Sequence, residues 1–387
     1  MKKRSQPDLV VLSHLRWSWV WQRPQHLVSR FSVQRAAAGA RTWFVEEPIA
    51  ADVQQPRIRS EQRDGITRIW LEVVGPNDPT GSISFNDPRA ADYPRLLAQL
   101  LAEQGCRQSP DLWVYTPMAY DLAQQLDGGR LVYDVMDDLS SFLHAPEGLR
   151  LRQRQLLSAA DVVFTGGRSL HRSTLSQRRH AVHLFPSGVE AEHYAASRKL
   201  RKPRSQKVAG YVGVVDERVD LELIASLAAE LPDWSMQIIG PVAKIDEGDL
   251  PRLANIEYVG MVAYQELPLR MADFDVALMP FALNQATRAI SPTKTLEYLA
   301  AGLPVVSTRV PDVLSDYADV VHFADTGKEF AAACDEVITQ PQADRDRLVR
   351  PIQARQGWDY IASSMTRLLN EHTTAPADYS ARQDVSA

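Results

Sequence analysis

Cysteine is nearly absent: Cys106 and Cys334 are the only two in 387 residues. They lie far apart and show no metal-ligand spacing, which argues against a disulfide scaffold or a thiolate metal site; both read as buried small hydrophobes in a reducing compartment. No run of about 18 apolar residues occurs, so no segment reads as membrane-spanning. The start "MKKRSQPDLVVLSHLRWSW" has a basic tip, but its apolar run breaks at Ser13, His14 and Arg16. A first strand is expected there rather than a signal peptide, with a cytoplasmic location as the default. Excess basic charge is also missing. Lys and Arg number 43 against 48 Asp and Glu, a net charge of −5, which speaks against nucleic-acid binding through bulk electrostatics. No repeat of solenoid period is visible.

The chain does have the hydrophobic content (45%) and charged content (24%) of an ordinary globular protein. Its length suits two domains of roughly 150–200 residues. Short apolar runs alternate with helical patterns throughout: "LVVLS" (9–13), "TWFVEE" (42–47), "TRIWLEVV" (67–74), "LWVYT" (112–116), "LVYDV" (131–135), "DVVFT" (161–165) and "AVHLF" (181–185), then "KVAGYVG" (207–213), "SMQIIG" (235–240), "IEYVG" (256–260), "DVALMPF" (275–281) and "PVVST" (304–308). This rhythm predicts an α/β fold of two Rossmann-like, doubly wound domains facing across a cleft. The N-terminal domain is expected over 1–195 and the C-terminal one over 207–356, joined by the basic, proline-containing linker 196–206. Residues 357–373 form an amphipathic helix expected to return toward the N-terminal domain. Residues 374–387 read as a disordered tail.

The stretch "RAISPTKTLEYLAAGLPVVST" (288–308) is the most informative. Ser291 is a good N-cap, Pro292 fits the first helical position, and Gly302 closes the helix. Where a capping box would place an acid, Lys294 stands instead, with Arg288 just upstream. Cations at the positive end of a helix dipole call for an anion. Lys294 and Glu297 share a helix face, so one reading is a surface ion pair. The other is a diphosphate held by Lys294 and backbone N–H groups, with Glu297 accepting from sugar or ribose hydroxyls.

With these residues in view, "SPTKTLEYLAAGLPVVS" resembles the C-terminal-domain signature of GT-B glycosyltransferases, especially bacterial surface-polysaccharide enzymes of the teichuronic-acid type in the group 1, retaining branch. "WSWVWQRPQHLVSRF" (17–31), "VYDVMDDLSSF" (132–142), "SAADVVFTGGRSL" (158–170), "FPSGVEAEHY" (185–194) and "GYVGVVDERVDLELI" (210–224) resemble other landmarks of that fold in the same order. The resemblance implies a transferase moving a sugar from a nucleotide-diphosphate donor to a glycan, lipid-linked or small-molecule acceptor, without a resident cofactor or bound metal and without nucleic acid. It implies diphosphate contacts from Arg218, Ser291, Thr293 and Lys294, ribose contacts from Glu297, and a nucleobase clamp at Val259, Gly260 and Met261. Two positions depart from the family pattern. Ala289 stands where a second glutamate is usual, and Val214 where an arginine is usual, so the stereochemical course and the donor sugar stay open.

The N-terminal half is expected to bind the acceptor. Asp137 and Asp138 follow the carboxyl end of a strand and would serve either as a base or as turn and cap aspartates. His14, Arg16, Trp17, Trp21, Arg23 and His26 cluster after the first strand and would form an acceptor surface, with the alternating tryptophans stacking on sugar rings or filling a half-buried loop. If the acceptor is lipid-linked, the "RKLRKPR" linker and "KKR" tip would touch anionic lipid at the inner membrane face; otherwise they are solvated. A nucleotide-sugar epimerase and a sugar-nucleotide-binding scaffold are the alternatives within this architecture.

Overall fold

Strand runs that are buried from end to end decide the architecture. In the computed structural model, which describes residues 6–372 apart from 79, 80, 82, 108, 142–144, 146, 291 and 292, Leu9, Val10, Val11 and Leu12 are all completely inaccessible to solvent. A strand apolar on both faces needs cover on both faces, and helices supply it.

The N-terminal lobe contains β1 (Leu9–Ser13), β2 (Thr42–Glu46), β3 (Ile49–Ala51), β4 (Arg57–Arg63), β5 (Ile66–Val74), β6 (Asp111–Val114), β7 (Leu131–Val135), β8 (Val162–Thr165) and β9 (Val182–Leu184). They form one nine-stranded sheet in the order 3-5-2-1-6-7-8-9, with β4 attached to β5. The β4–β5 pair is antiparallel. The C-terminal lobe contains β10 (Val208–Val212), β11 (Ser235–Ile239), β12 (Ile256–Gly260), β13 (Val276–Met279), β14 (Val305–Ser307) and β15 (His322–Phe323). Its order is 12-11-10-13-14-15, with every pair parallel.

Both sheets change winding direction beside their first strand: β1 lies between β2 and β6, and β10 between β11 and β13. Ligands of open α/β sheets bind outside the carboxyl ends of strands at such switch points. The loops that leave β1 and β10 face each other in this structure, as the lining of the interlobe cleft shows below.

The expected linker is in good part helical. The helix Ala191–Leu200 runs into that segment and is fixed to the C-terminal lobe, where Arg198 donates to Leu299 O and Ala300 O and Arg201 to Ala301 O. These carbonyls stand at the C-terminal end of the helix Thr293–Ala300, where cations are favoured. The basic character that suggested a solvated linker is explained by this capping. Gly302 takes the left-handed φ of +74° that closes the helix.

The helix Trp358–His372 crosses back. Trp358, Ile361, Ala362, Met365 and Leu369 join one apolar cluster with Leu9, Val11, Leu27 and Phe31. The chain thus passes between the lobes twice. The two passages pair side by side, through Val189 N–H to Gln356 O at 2.8 Å and Trp358 N–H to Val189 O at 3.4 Å. Ser291, Pro292 and the tail 374–387 lie outside the described residues.

Candidate active site

A cleft opens between the lobes. The N-terminal wall is made by Val20, Trp21, Gln22, Arg23, Met136, Asp137 and Ser187. The C-terminal wall is made by Tyr211, Gly213, Val214, Arg218, Phe281, Ile290, Thr293 and Lys294. Of the residues singled out from the sequence, Trp21, Arg23, Asp137, Arg218, Thr293 and Lys294 therefore converge on one space, from segments up to 273 positions apart in the chain.

Lys294 sits in the first turn of its helix, and its Nζ donates to Glu297 Oε2 at 2.8 Å. Their side chains are 19% and 8% exposed. The pair forms as the i, i+3 spacing predicts, but it is not a free surface pair: Lys294 lines the cleft and Glu297 lies behind it, outside the lining. Glu297 lies one turn deeper and is buried.

Arg218 is held by Asp216. Its Nε reaches both carboxylate oxygens, at 2.9 and 3.1 Å, and Nη2 donates to Oδ2 at 2.6 Å. Burial would weaken the guanidinium's hold on its proton, but Asp216 and Asp137 more than offset this and raise its pKa. Asp216 also caps the local turn by accepting from Arg218 N–H. The sequence reading passed over Asp216, although an aspartate two residues before an arginine in "VVDER" is a turn signal.

Asp137 faces this cation from the opposite lobe. Desolvation pushes its pKa up from 3.8 to about 6, against the pull of Arg218 and Lys244, while Asp216 and Asp138 add to the rise. A half-buried carboxylate that titrates near 6 suits proton transfer near neutrality. Asp138 behaves differently. It accepts from Ser140 Oγ at 2.8 Å and Ser141 Oγ at 2.6 Å, so of the two proposed readings it takes the turn-aspartate one.

Arg23 opens the helix Arg23–Ala37, with Pro24 in its first turn. Its Nε bonds both oxygens of the wholly buried Asp134 at 3.0 and 3.1 Å, and Nη1 donates to Phe185 O at 2.8 Å.

Much of the expected acceptor surface is framework. Trp17 is 1% exposed. Its backbone N–H donates to Glu46 Oε1 at 2.8 Å, and its ring N–H donates to Asp64 Oδ2 at 3.1 Å. Arg16 bonds Glu46 and the carbonyls of Glu47, Pro48 and Gly81. Both side chains are spent anchoring the loop, because it must cross the end of β2 and its charge finds Glu46 there. His26 stacks on Trp358 with ring centres 5.0 Å apart. Burial, with Arg30, Lys294 and His193 helping and Glu190 opposing, pushes its pKa down to about 3. It is thus a neutral packing group at the lobe junction. His14 is lowered to about 4 by burial and by Lys244 and does not line the cleft. Trp21 does line it, stacked on Tyr264 of the other lobe at 5.5 Å.

Val259, Gly260 and Met261 lie at the carboxyl end of the edge strand β12, outside the cleft lining. Gly260 has φ +79°, and a Cβ there would meet nothing within 4 Å. The space beside it is open, as a planar ring approaching the backbone requires. Ala289 packs against the N-terminal core, and Val214 lines the cleft, so both departures from the family pattern sit at the lobe boundary.

Comparison with known proteins agrees with this geometry. Residues 206–340 match the family described as Glycosyl transferases group 1. The chain is 28% identical over 228 residues to TuaH of Bacillus subtilis (strain 168), named for teichuronic acid biosynthesis as a glycosyltransferase. That match takes in 55% of this chain and 57% of the relative, so the chain spans little more than half the length of the curated protein it matches. Among solved structures, sucrose-phosphate synthase from Thermosynechococcus elongatus superposes with a TM-score of 0.68 at 15% identity, covering 95% of this chain and 99% of that one. HepE of Anabaena, in complex with UDP and glucose, gives 0.66 at 16% identity over 94% and 100%. The E. coli trehalose-6-phosphate protein bound with UDP-2-fluoro glucose gives 0.64 at 14% over 95% and 99%. The chain has the GT-B fold, and residues 206–340, in its C-terminal lobe, match the family described as Glycosyl transferases group 1.

Proposed function

We propose that the chain is a glycosyltransferase that carries a sugar from a nucleoside-diphosphate donor to a glycan, lipid-linked or small-molecule acceptor, in the assembly of a surface polysaccharide. The observation that supports this most is the meeting of Arg218, Thr293 and Lys294 with Asp137 across a single interlobe cleft. The diphosphate displaces Lys294 from Glu297 and takes its ammonium together with the Arg218 guanidinium. Glu297, released, accepts from the ribose hydroxyls. As the bond between the sugar and the diphosphate breaks, negative charge grows on the leaving oxygen, and these two fixed cations stabilise it. No metal ion is invoked, because the cations are supplied by side chains.

The acceptor hydroxyl enters from the N-terminal wall. Asp137, ionised above about pH 6, takes its proton if the attack inverts the anomeric carbon; front-face attack with retention needs no strong base. The names of the relatives, transferases and sugar-phosphate synthases, support this reading over the epimerase or scaffold. Among the described residues no helix is long and apolar enough to cross a membrane; work at the inner membrane face would therefore rest on peripheral contact.

The test is a panel of UDP-, GDP-, ADP- and dTDP-sugars in thermal denaturation. A ligand that binds the native state alone raises apparent stability by RT ln(1 + [L]/Kd). One nucleotide class is expected to stand out, and no shift with any member would contradict the reading.

A further inference from the structure

The helix Arg168–Gln177 of the N-terminal lobe begins without a cap of its own. Gly167 precedes it and has no side chain to accept from the first-turn N–H groups. The other lobe takes that role. Asp312, in the first turn of the helix Pro311–Tyr317, accepts from Ser169 N–H with its two carboxylate oxygens, at 3.1 and 3.2 Å, and from Ser169 Oγ at 2.6 Å. A carboxylate accepting from the second residue of a helix is ordinary N-capping chemistry, and it meets the positive end of the helix dipole. Here the cap comes from 143 positions away and across the lobe boundary.

The neighbouring charges have the matching signs. Arg168 pairs with Asp316, one turn along the same C-terminal helix, and Arg172 donates to Ser169 Oγ at 2.9 Å. Two acids of one lobe thus face two arginines and a helix start of the other. Asp312 is 3% exposed, so water competes little for its bonds. The Arg168 side chain is about half exposed, and its pair contributes less.

Both halves of this clasp are tied to the cleft. Gly166 donates its N–H to Val135 O, two residues before Asp137, and accepts from the N–H of Ser187. Thr308, four residues before Asp312, donates to Phe281 O at 2.8 Å. Asp137, Ser187 and Phe281 line the cleft, whereas Ser169 and Asp312 do not.

We propose that Asp312 is a positioning residue: by capping the helix Arg168–Gln177 across the boundary, it holds the wall that carries Asp137 against the wall that carries Arg218 and Lys294. The inference rests on the transferase reading for its effect on rate and goes beyond it by naming what fixes the separation of the walls. The donor contacts of that reading, Arg218, Thr293, Lys294 and Glu297, all belong to the C-terminal lobe, so opening the clasp leaves them together.

Two variants break the clasp from opposite sides. Asp312→Ala removes the cap. Ser169→Asp sets like charges against each other at the boundary while remaining favourable in the first turn of its own helix. Small-angle X-ray scattering without ligand should give each variant a larger radius of gyration than wild type. Loss of bonds to a charged group should move the ratio of closed to open forms about tenfold or more toward open. Release of nucleoside diphosphate from the donor that the panel identifies, with water as acceptor, should then show kcat lowered about tenfold and donor Kd within about twofold of wild type. In the Asp312→Ala background, Ser169→Asp should change neither scattering nor kcat further. Wild-type scattering in either variant, a wild-type kcat, or an equal effect of Ser169→Asp with and without Asp312 would each overturn the proposal. Should Asp312→Ala fold poorly, Ser169→Asp decides by scattering and kcat alone. A wild type that binds no donor would strike the transferase reading instead, and scattering would still judge the clasp.

Discussion

Replacing Asp137 by Asn should make the protein more stable and less active, and the size of the gain follows from the site. Burial raises the Asp137 pKa from the ordinary 3.8 to about 6. At ~1.4 kcal/mol per unit, that difference would amount to about 3 kcal/mol for a wholly dry carboxylate. Asp137 is only half-buried, so solvent screening reduces this to about 1–2 kcal/mol. The sign is fixed by proton linkage. Below pH 3.8 the folded and unfolded chains both carry the proton, and the aspartate imposes no penalty. Between 3.8 and 6 the folded chain keeps a proton that the unfolded chain has lost, so this group lowers stability as pH rises. Above 6 the penalty is complete. Denaturant unfolding of wild type and Asp137→Asn from pH 4 to pH 8 should therefore give curves that meet near pH 4 and separate by pH 7, with the Asn variant more stable. Curves that run parallel across the whole range, or an Asn variant less stable at pH 8, would refute the desolvated-carboxylate account. A transfer rate that survives the substitution would point to front-face attack without Asp137 as base.

Two structural predictions follow from packing. Trp358 is 2% exposed and stacks on His26 at the lobe crossing, so Trp358→Ala should cost about 3–5 kcal/mol in denaturant unfolding; a loss under 1 kcal/mol would show that the returning helix is not part of the N-terminal core. Gly240 has φ +144°, and a Cβ would lie 1.9 Å from Gly213 O. Gly240→Ala should therefore cost about 1–3 kcal/mol and weaken donor binding, since this contact sets the loops after β10 and β11; unchanged affinity in a folded variant would remove that link.

The parallel core was legible because buried strands such as Leu9–Leu12 and Val276–Met279 are continuous apolar runs that fit few other roles. The hairpin partner β4 escaped notice because "RIRSEQR" has no apolar face; it is held by backbone pairing to β5. Its turn, Asp64–Gly65, has both φ values positive and is a recognised hairpin signal that could have been used. Lys294, Asp137 and Arg23 could be picked out because charge at helix starts and strand ends is a local pattern, whereas Arg218 was picked out by the family resemblance; all four line the cleft. The roles of Trp17 and Arg16 were not local: whether alternating tryptophans face a ligand or the core depends on Glu46 and Asp64, which the fold brings in from elsewhere. The same holds for His26, whose stacking partner Trp358 arrives on a helix more than 330 residues away. Asp216 was legible as an aspartate two residues before Arg218, whereas Asp134 meets Arg23 only once β7 and the helix Arg23–Ala37 come together within the N-terminal lobe.

Calorimetric titration of UDP, GDP, ADP and dTDP into wild type and Lys294→Ala tests the central claim most directly. Wild type should bind one of these diphosphates at a single site, and the variant, still folded, should bind it about 10–100-fold more weakly, as expected for the loss of a charge-assisted bond to phosphate. Equal affinity in the two proteins would contradict the assignment of Lys294 to the diphosphate.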